Sequence, residues 1–145
     1  MRKALAFGLF LSLAVFAAAA ETPAQFVVIV NAENTTFSTS KPTVAGMFLK
    51  RIGKWESGLK CQPVDLAESS GTREAFSRQI LGRRIYEVEQ YWQTAIFSGR
   101  DIPPPKKVSE AEVVAYVAHH PGAIGYVSPG TPLPPQVKVL RVVER

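Results

Sequence analysis

The sequence predicts a single α/β domain in three layers, a sheet with helices on both sides. Three observations carry this reading. Gln25 to Asn31 reads Gln-Phe-Val-Val-Ile-Val-Asn, an unbroken β-branched and aromatic run of the kind that forms a strand buried on both faces, as in a parallel sheet. Strand-like and helix-like patterns then follow in the order helix, strand, three helices, strand, strand, which suits one layered domain. Finally, one strand-like run passes through a Gly-containing turn directly into a helix, the junction at which open α/β sheets bind ligands.

The first twenty residues stand apart from this domain. Met1-Arg2-Lys3 is basic, Ala4 to Ala17 is apolar, and Ala18-Ala19-Ala20 precedes Glu21. That is the pattern of a secretory signal peptide cleaved near Ala20. The expected organisation is therefore signal peptide 1–20 and one domain 21–145, located in the periplasm or secreted. Loss of Arg2 and Lys3 lowers the formal charge from +5 to +3. A mild positive balance favours anions in general. Basic and aromatic residues are not interleaved as on a base-stacking platform, so no nucleic acid is expected. No later stretch reaches the roughly 18 apolar residues of a membrane span. Cys61 is the sole cysteine, which excludes an internal disulfide. Beside Pro63 and Val64 it reads as a small buried hydrophobe, with an intermolecular disulfide as the alternative.

Along the chain, residues 32–39 read as a polar turn. Ser40 caps a helix with Pro42 in its first turn, where no N–H is needed, and Val44, Met47, Phe48 and the stem of Arg51 share a face. Trp55 reads as a lid over the helix end. Lys60 to Leu66 is a second strand, placed near an edge because Pro63 cannot donate to a ladder. A helix over Glu74 to Leu81 buries Phe76, Ile80 and Leu81 and ends at Gly82. Ile85 to Phe97 is amphipathic, with Val88, Tyr91, Trp92, Ala95 and Ile96 inward and Glu87, Glu89, Gln90 and Gln93 in water. Pro103-Pro104-Pro105 is a stiff connector or a polyproline ligand. Ser109 and Glu112 form a capping box for a helix to His119 that buries Val113, Val114 and Val117. Adjacent His119 and His120 point about 100° apart and have no third ligand, so no metal is expected. Ala123 to Val127 and Gln136 to Val143 are the last strands.

The candidate site is the junction Glu68-Ser69-Ser70-Gly71-Thr72-Arg73. The first N–H groups of a helix lack internal partners and carry partial positive charge, which suits an oxyanion. Ser69, Ser70 and Thr72 add neutral donors, Gly71 lets a ligand approach the backbone, and Arg73 offers a cation. The same residues also make an ordinary N-cap.

Four blocks of the chain carry a resemblance. Ser40 with Gly46-Met47-Phe48-Leu49-Lys50, Gly53-Lys54-Trp55 and Gly58 is the first, and Ser69-Ser70-Gly71-Thr72-Arg73 with Phe76 is the second. Tyr91-Trp92 and Pro121-Gly122-Ala123-Ile124-Gly125-Tyr126-Val127 follow. In this order they resemble the periplasmic phosphate-binding (PstS-like) solute-binding proteins of ABC importers. The resemblance implies one lobe of the type II periplasmic-binding fold, with Ser70, Gly71 and Thr72 on positions that hydrogen-bond phosphate. It also shows two departures: the family's arginine falls on Leu66, and there is room for only one of two lobes. The expected function is thus a phosphate- or anion-binding module, weak alone and completed by a homodimer or envelope partner. The alternative is a non-catalytic envelope adaptor or interaction domain. No enzyme is expected, since no Ser-His-Asp arrangement can be placed, Cys61 lies on a strand and the carboxylates form no obvious pair. No cofactor is expected.

Overall fold

The computed structural model describes residues 25–145; the leader read at residues 1–20 lies outside them. The centre of the domain is β1 (Val27–Asn31). It runs antiparallel to β6 (Ala123–Val127) on one side, Val27 opposite Val127 and Val30 opposite Ile124. On its other side it is antiparallel to β7 (Val137–Val139). Strand β3 (Gln62–Pro63) adds in parallel to β6, giving the order β3-β6-β1-β7. Pro63 sits on the edge strand, where its missing N–H leaves no ladder bond unmade.

The first strand is buried on both faces, but the parallel sheet that its composition suits is not formed around it. Unbroken apolar composition reports cover on both faces, and an antiparallel strand between two helical layers has the same need. Two adjacent residues of β6 show the layers. At Gly125 an added Cβ would lie 2.8 Å from Val113 and 3.3 Å from Val117, both on α4 (Glu110–His119). On the opposite face the Tyr126 ring stacks on Phe76 of α2 (Gly71–Phe76) at 3.9 Å between centroids. Phe48 of α1 (Lys41–Phe48) closes on the same ring at 5.7 Å. Helix, sheet and helix make the three layers expected.

Ser40 caps α1, its Oγ accepting from Thr43 N at 3.2 Å, and Val44, Met47 and Phe48 are buried. Arg51 lies beyond the helix and is exposed. Trp55 is 3 % exposed and donates its Nε1–H to the Gly122 carbonyl at 2.9 Å, so the lid is also bolted to the start of β6. The second strand is two short ones. After β3 the chain leaves the sheet, and β4 (Asp65–Leu66) pairs in parallel with β5 (Lys106–Lys107). The last strand likewise divides into β7 and β8 (Arg141–Val143), and β8 pairs in parallel with β2 (Ser38–Ser40), a strand inside the stretch expected as a turn. Helix α2 continues through a π-helical turn, Ser77–Leu81, and ends at Gly82 with φ 63°.

Helix α3 spans Ile85–Phe97 as the periodicity predicts. Val88, Trp92 and Ala95 form a small second core, whereas Ile96 of the expected stripe is exposed. The α4 cap is Ser109, whose Oγ accepts from Glu112 N; the Glu112 carboxylate accepts instead from Val108 N, one residue before the cap. Among the described residues no helix is long and apolar enough to cross a membrane.

Candidate functional site

The Ser69–Arg73 junction lies between the end of β4 and the start of α2. Ser70 N donates to Ala67 O at 3.0 Å, which tightens the turn, and Ser70 has the extended backbone of a cap, φ −75° and ψ 124°. Its Oγ accepts from Arg73 N at 3.2 Å. Ser69 and Gly71 are exposed, Ser70 and Thr72 half-buried. Gly71 is not in the left-handed region, and a Cβ placed on it would meet nothing within 4 Å. Neither local conformation nor packing calls for a glycine there.

The two most polar members of the junction are already engaged. Thr72 Oγ1 donates to Glu110 Oε1 at 2.7 Å. The other oxygen of that carboxylate accepts from Ser128 Oγ at 2.6 Å and Thr131 Oγ1 at 2.8 Å. Burial pushes the Glu110 carboxyl upward, but the hydroxyls of Ser128, Thr72 and Thr131 outweigh it and hold the group below its ordinary value. Three hydroxyls from α2 and the loop after β6 therefore surround an anion supplied by the first residue of α4.

Arg73 points inward. Its side chain is 2 % exposed, with Nη2 2.7 Å from Glu89 Oε1 and 3.3 Å from Asp65 Oδ2. Lys106 extends the network, 2.9 Å from Glu89 and 3.1 Å from Glu68. Tyr126 donates its hydroxyl to Asp65, and Leu66 N donates to the same oxygen at 2.9 Å. Burial pushes the Asp65 carboxyl above its ordinary value; the Arg73 charge and the Tyr126 and Leu66 bonds pull it back only in part. Glu89 is also penalised by burial, yet its bonds to Lys106 and Arg73 bring it below its ordinary value. Arg73 is disfavoured by burial and rescued by Asp65, so it stays charged. The guanidinium expected to meet a ligand is thus the centre of an internal ion network, and Glu89, expected in water, is drawn into it. Asp65 and Glu89 are each held on a cation, and Tyr126, stacked in the core, has its phenol pushed up chiefly by burial.

Asp65, Glu89, Glu110, Ser128 and Thr131 were not legible as a group. The one local signal is Asp65, an acid inside an otherwise apolar run. At the other end of α4, His119 and His120 place their Nδ1 atoms 2.7 Å from Ala115 O and Tyr116 O. The Cys61 thiol is buried and pushed up to about 12 by that burial.

Among solved structures the chain is similar to a putative phosphate ABC transporter substrate-binding protein with bound phosphate from Clostridium perfringens. Identity is 18 %, over 83 % of this chain and 45 % of that one, with a TM-score of 0.65. The fold is that of one half of such a receptor. An ABC-type phosphate transport receptor from Vibrio cholerae matches at 19 % identity and TM-score 0.62, over 81 % of this chain and 46 % of that one. PstS from Borrelia burgdorferi matches at 18 % and 0.64, over 81 % and 47 %. The chain therefore spans about half the length of these receptors. No family model and no curated protein matches the sequence. The receptor-half fold agrees with the order of the four sequence blocks.

Proposed function

We propose that the protein is an exported, non-enzymatic module that binds phosphate or a similar oxyanion weakly at Ser69, Ser70, Gly71 and Thr72. Gly71 carries this reading: it is a glycine that neither φ nor packing explains, at the first turn of α2, in a fold shared with half of phosphate receptors. The donors are the Gly71 and Thr72 N–H groups and the Ser69 and Ser70 hydroxyls, the Arg73 N–H being taken by Ser70 Oγ. Arg73 is a positioning residue, since its guanidinium faces Asp65 and Glu89.

Magnitudes set the expected affinity. Hydrogen bonds to a charged group contribute about 1.5–3 kcal/mol each, and a micromolar site needs roughly 8 kcal/mol. A few donors on an open turn fall short, and Glu110 places a negative charge beside Thr72. Binding near millimolar is expected, with a second copy or an envelope partner needed to cover the site. Calorimetry with phosphate tests this. Heat from the wild type at millimolar phosphate, reduced in Ser70→Ala/Thr72→Ala, is the expected result.

A second reading, an envelope adaptor that keeps the fold without the ligand, is favoured by one observation. The Thr72 hydroxyl is committed to Glu110 and Arg73 Nη2 to Glu89, although Arg73 Nη1 is buried without a partner. Identical, heatless titrations of the wild type and the double variant would leave that reading standing and the first one refuted.

A further inference from the structure

Tyr91, half-buried in the middle of α3, is ringed by three arginines. The guanidinium carbons of Arg51, Arg83 and Arg100 each lie 5.7 Å from its ring centroid. No two of them can be further apart than twice that distance. The ring itself is fixed, because Tyr91 donates its hydroxyl to Leu49 O at 2.8 Å.

The three arginines come from separate segments, and each is set by the end of a helix. Arg51 follows Lys50, φ 54°, and its N–H returns to Gly46 O at 2.8 Å. Arg100 follows Gly99, φ 65°, and its N–H returns to Ala95 O at 3.0 Å. Arg83 follows Gly82, φ 63°; its N–H bonds to Ser77 O at 3.1 Å and its carbonyl accepts from Ser77 Oγ at 2.7 Å. A left-handed residue followed by a bond back into the last turn is a closed helix C-terminus. Three such closures aim three cations at one ring.

Like charges gathered this way repel. The negative ends of the helices and the ring face offset part of that cost. Among the described residues no carboxylate pairs with any of the three. The neighbouring acids are engaged elsewhere: Glu87 with the Arg84 N–H at 2.7 Å and the Arg84 guanidinium at 3.6 Å, Asp101 with Lys50 at 3.7 Å. Between Arg83 and Arg100 the surface forms an open cleft of about 570 Å³, where Gln90 and Thr94 add neutral polar groups and the Glu87 carboxylate, held by Arg84, also lines the wall. Arg51 and Arg100, with Lys50 and Asp101, border a second hollow that Tyr91 also lines.

We propose that this arginine ring binds a small oligophosphate, an anion carrying two or more phosphate groups in series. A guanidinium fork matches two phosphate oxygens at once, and several forks around one point suit several phosphates better than one. A lipid headgroup that carries two phosphates, as cardiolipin does across a glycerol bridge, offers a similar set of charged oxygens. The site is separate from the Ser69–Thr72 turn and does not rest on its reading.

Titration of the purified protein with tripolyphosphate, orthophosphate and sulfate at low salt tests the proposal. Tripolyphosphate is expected to bind at least about tenfold tighter than orthophosphate, and less tightly at 0.15 M salt, where the screening length is about 8 Å. Arg83→Ala/Arg100→Ala loses that preference, whereas Arg83→Lys/Arg100→Lys, which keeps the charge and removes the forks, loses part of it. Ser70→Ala/Thr72→Ala lowers orthophosphate binding and spares tripolyphosphate binding. Co-sedimentation with phosphatidylcholine vesicles carrying cardiolipin, competed by tripolyphosphate, assigns the phosphates to a lipid; no sedimentation assigns them to a free anion. Equal affinity for tripolyphosphate and orthophosphate overturns the proposal. So does an undiminished preference in the alanine pair. Circular dichroism in the far and near ultraviolet checks that each variant is folded, and the lysine pair decides the matter if the alanine pair is not.

Discussion

Replacing Arg73 with methionine isolates the physical role of the buried ion network. Methionine fills much of the volume and removes the charge, leaving Asp65 with a side chain 11 % exposed and no cation in contact. That carboxylate has two options. It stays ionised in a poorly solvated place, the situation in which breaking a buried pair costs about 3–5 kcal/mol. Alternatively it takes up a proton, which from its ordinary value of 3.8 costs about 1.4 kcal/mol per pH unit. At pH 7 the second route costs about 4 kcal/mol, and at pH 5 about 2 kcal/mol. The cheaper route sets an upper bound, because Asp65 is already handicapped beside Arg73, so Arg73→Met should lose up to about 4 kcal/mol at pH 7 and at most about 2 kcal/mol at pH 5. The signs of the neighbours fix this window. Asp65 lies above its ordinary value, so its handicap is present at neutral pH and fades as pH falls through the folded value. Glu89 lies below its ordinary value of 4.5, so its contribution is present above that and is lost below it. Measuring at pH 5 and above keeps Glu89 out of the comparison. Urea unfolding at the two pH values gives the numbers, with an unchanged m-value required for the comparison to hold. Adding Asp65→Asn should recover at least about 2 kcal/mol at pH 7, because the amide still accepts from Tyr126 and carries no charge. A loss below about 1 kcal/mol, or one that is the same at both pH values, would falsify the idea that Arg73 exists to neutralise Asp65.

Gly122→Ala places a Cβ 1.9 Å from the Lys60 carbonyl and disturbs the Gln62 N to Gly122 O bond that starts the β3-β6 pairing; a loss of about 3 kcal/mol in thermal or urea unfolding is expected. Trp55→Phe removes the Nε1 bond and part of a buried ring, while Gly122 O keeps its bond from Gln62 N, so a loss of about 2 kcal/mol is expected in the same assay. Cys61, with its thiol raised to about 12, should react with a thiol reagent at pH 8 only at the rate of unfolding and become reactive at once in urea. Glu110→Gln removes the negative charge beside Thr72, and phosphate calorimetry should show about a fivefold gain, the ~1 kcal/mol of a partly exposed charge contact.

Elements set by local signals are those the sequence reveals. Helix α3 and strand β6 fall on their expected residues because one has a sustained 3–4 stripe and the other an unbroken apolar run between Gly122 and Ser128. Ser40, Ser70 and Ser109 cap helices for equally local reasons. Strand direction is different. Val27–Asn31 carries the same residues whether its neighbours run with it or against it, so only the tertiary return of β6 and β7 decides. The same holds for the site. Asp65, Arg73 and Glu89 meet across a strand, a turn and two helices, and no spacing rule joins an acid on a strand to an acid on α3. Glu110 reads as a helix-start acid, and its meeting with Thr72 and Ser128 depends on α4 lying beside α2 and the end of β6.

The Leu66 departure gains a physical meaning from this network. Leu66 is 1 % exposed and packs into the core, so a cation at that position would have to be buried among apolar side chains. The chain places its buried cation on α2 instead, at Arg73, and supplies Asp65 immediately before Leu66 to hold it. An arginine held by two carboxylates is a poor ligand for a third anion, because the newcomer would compete with charges already in contact. The arginines around Tyr91 have the opposite character: charged, at the surface and without a carboxylate partner among the described residues. On the two proposed readings, the Tyr91 cleft suits multiply charged anions, and the Ser69–Thr72 turn, with neutral donors beside Glu110, suits a single compact one. Titrating phosphate and tripolyphosphate against the two sets of variants separates these preferences, since each set should silence one anion and spare the other.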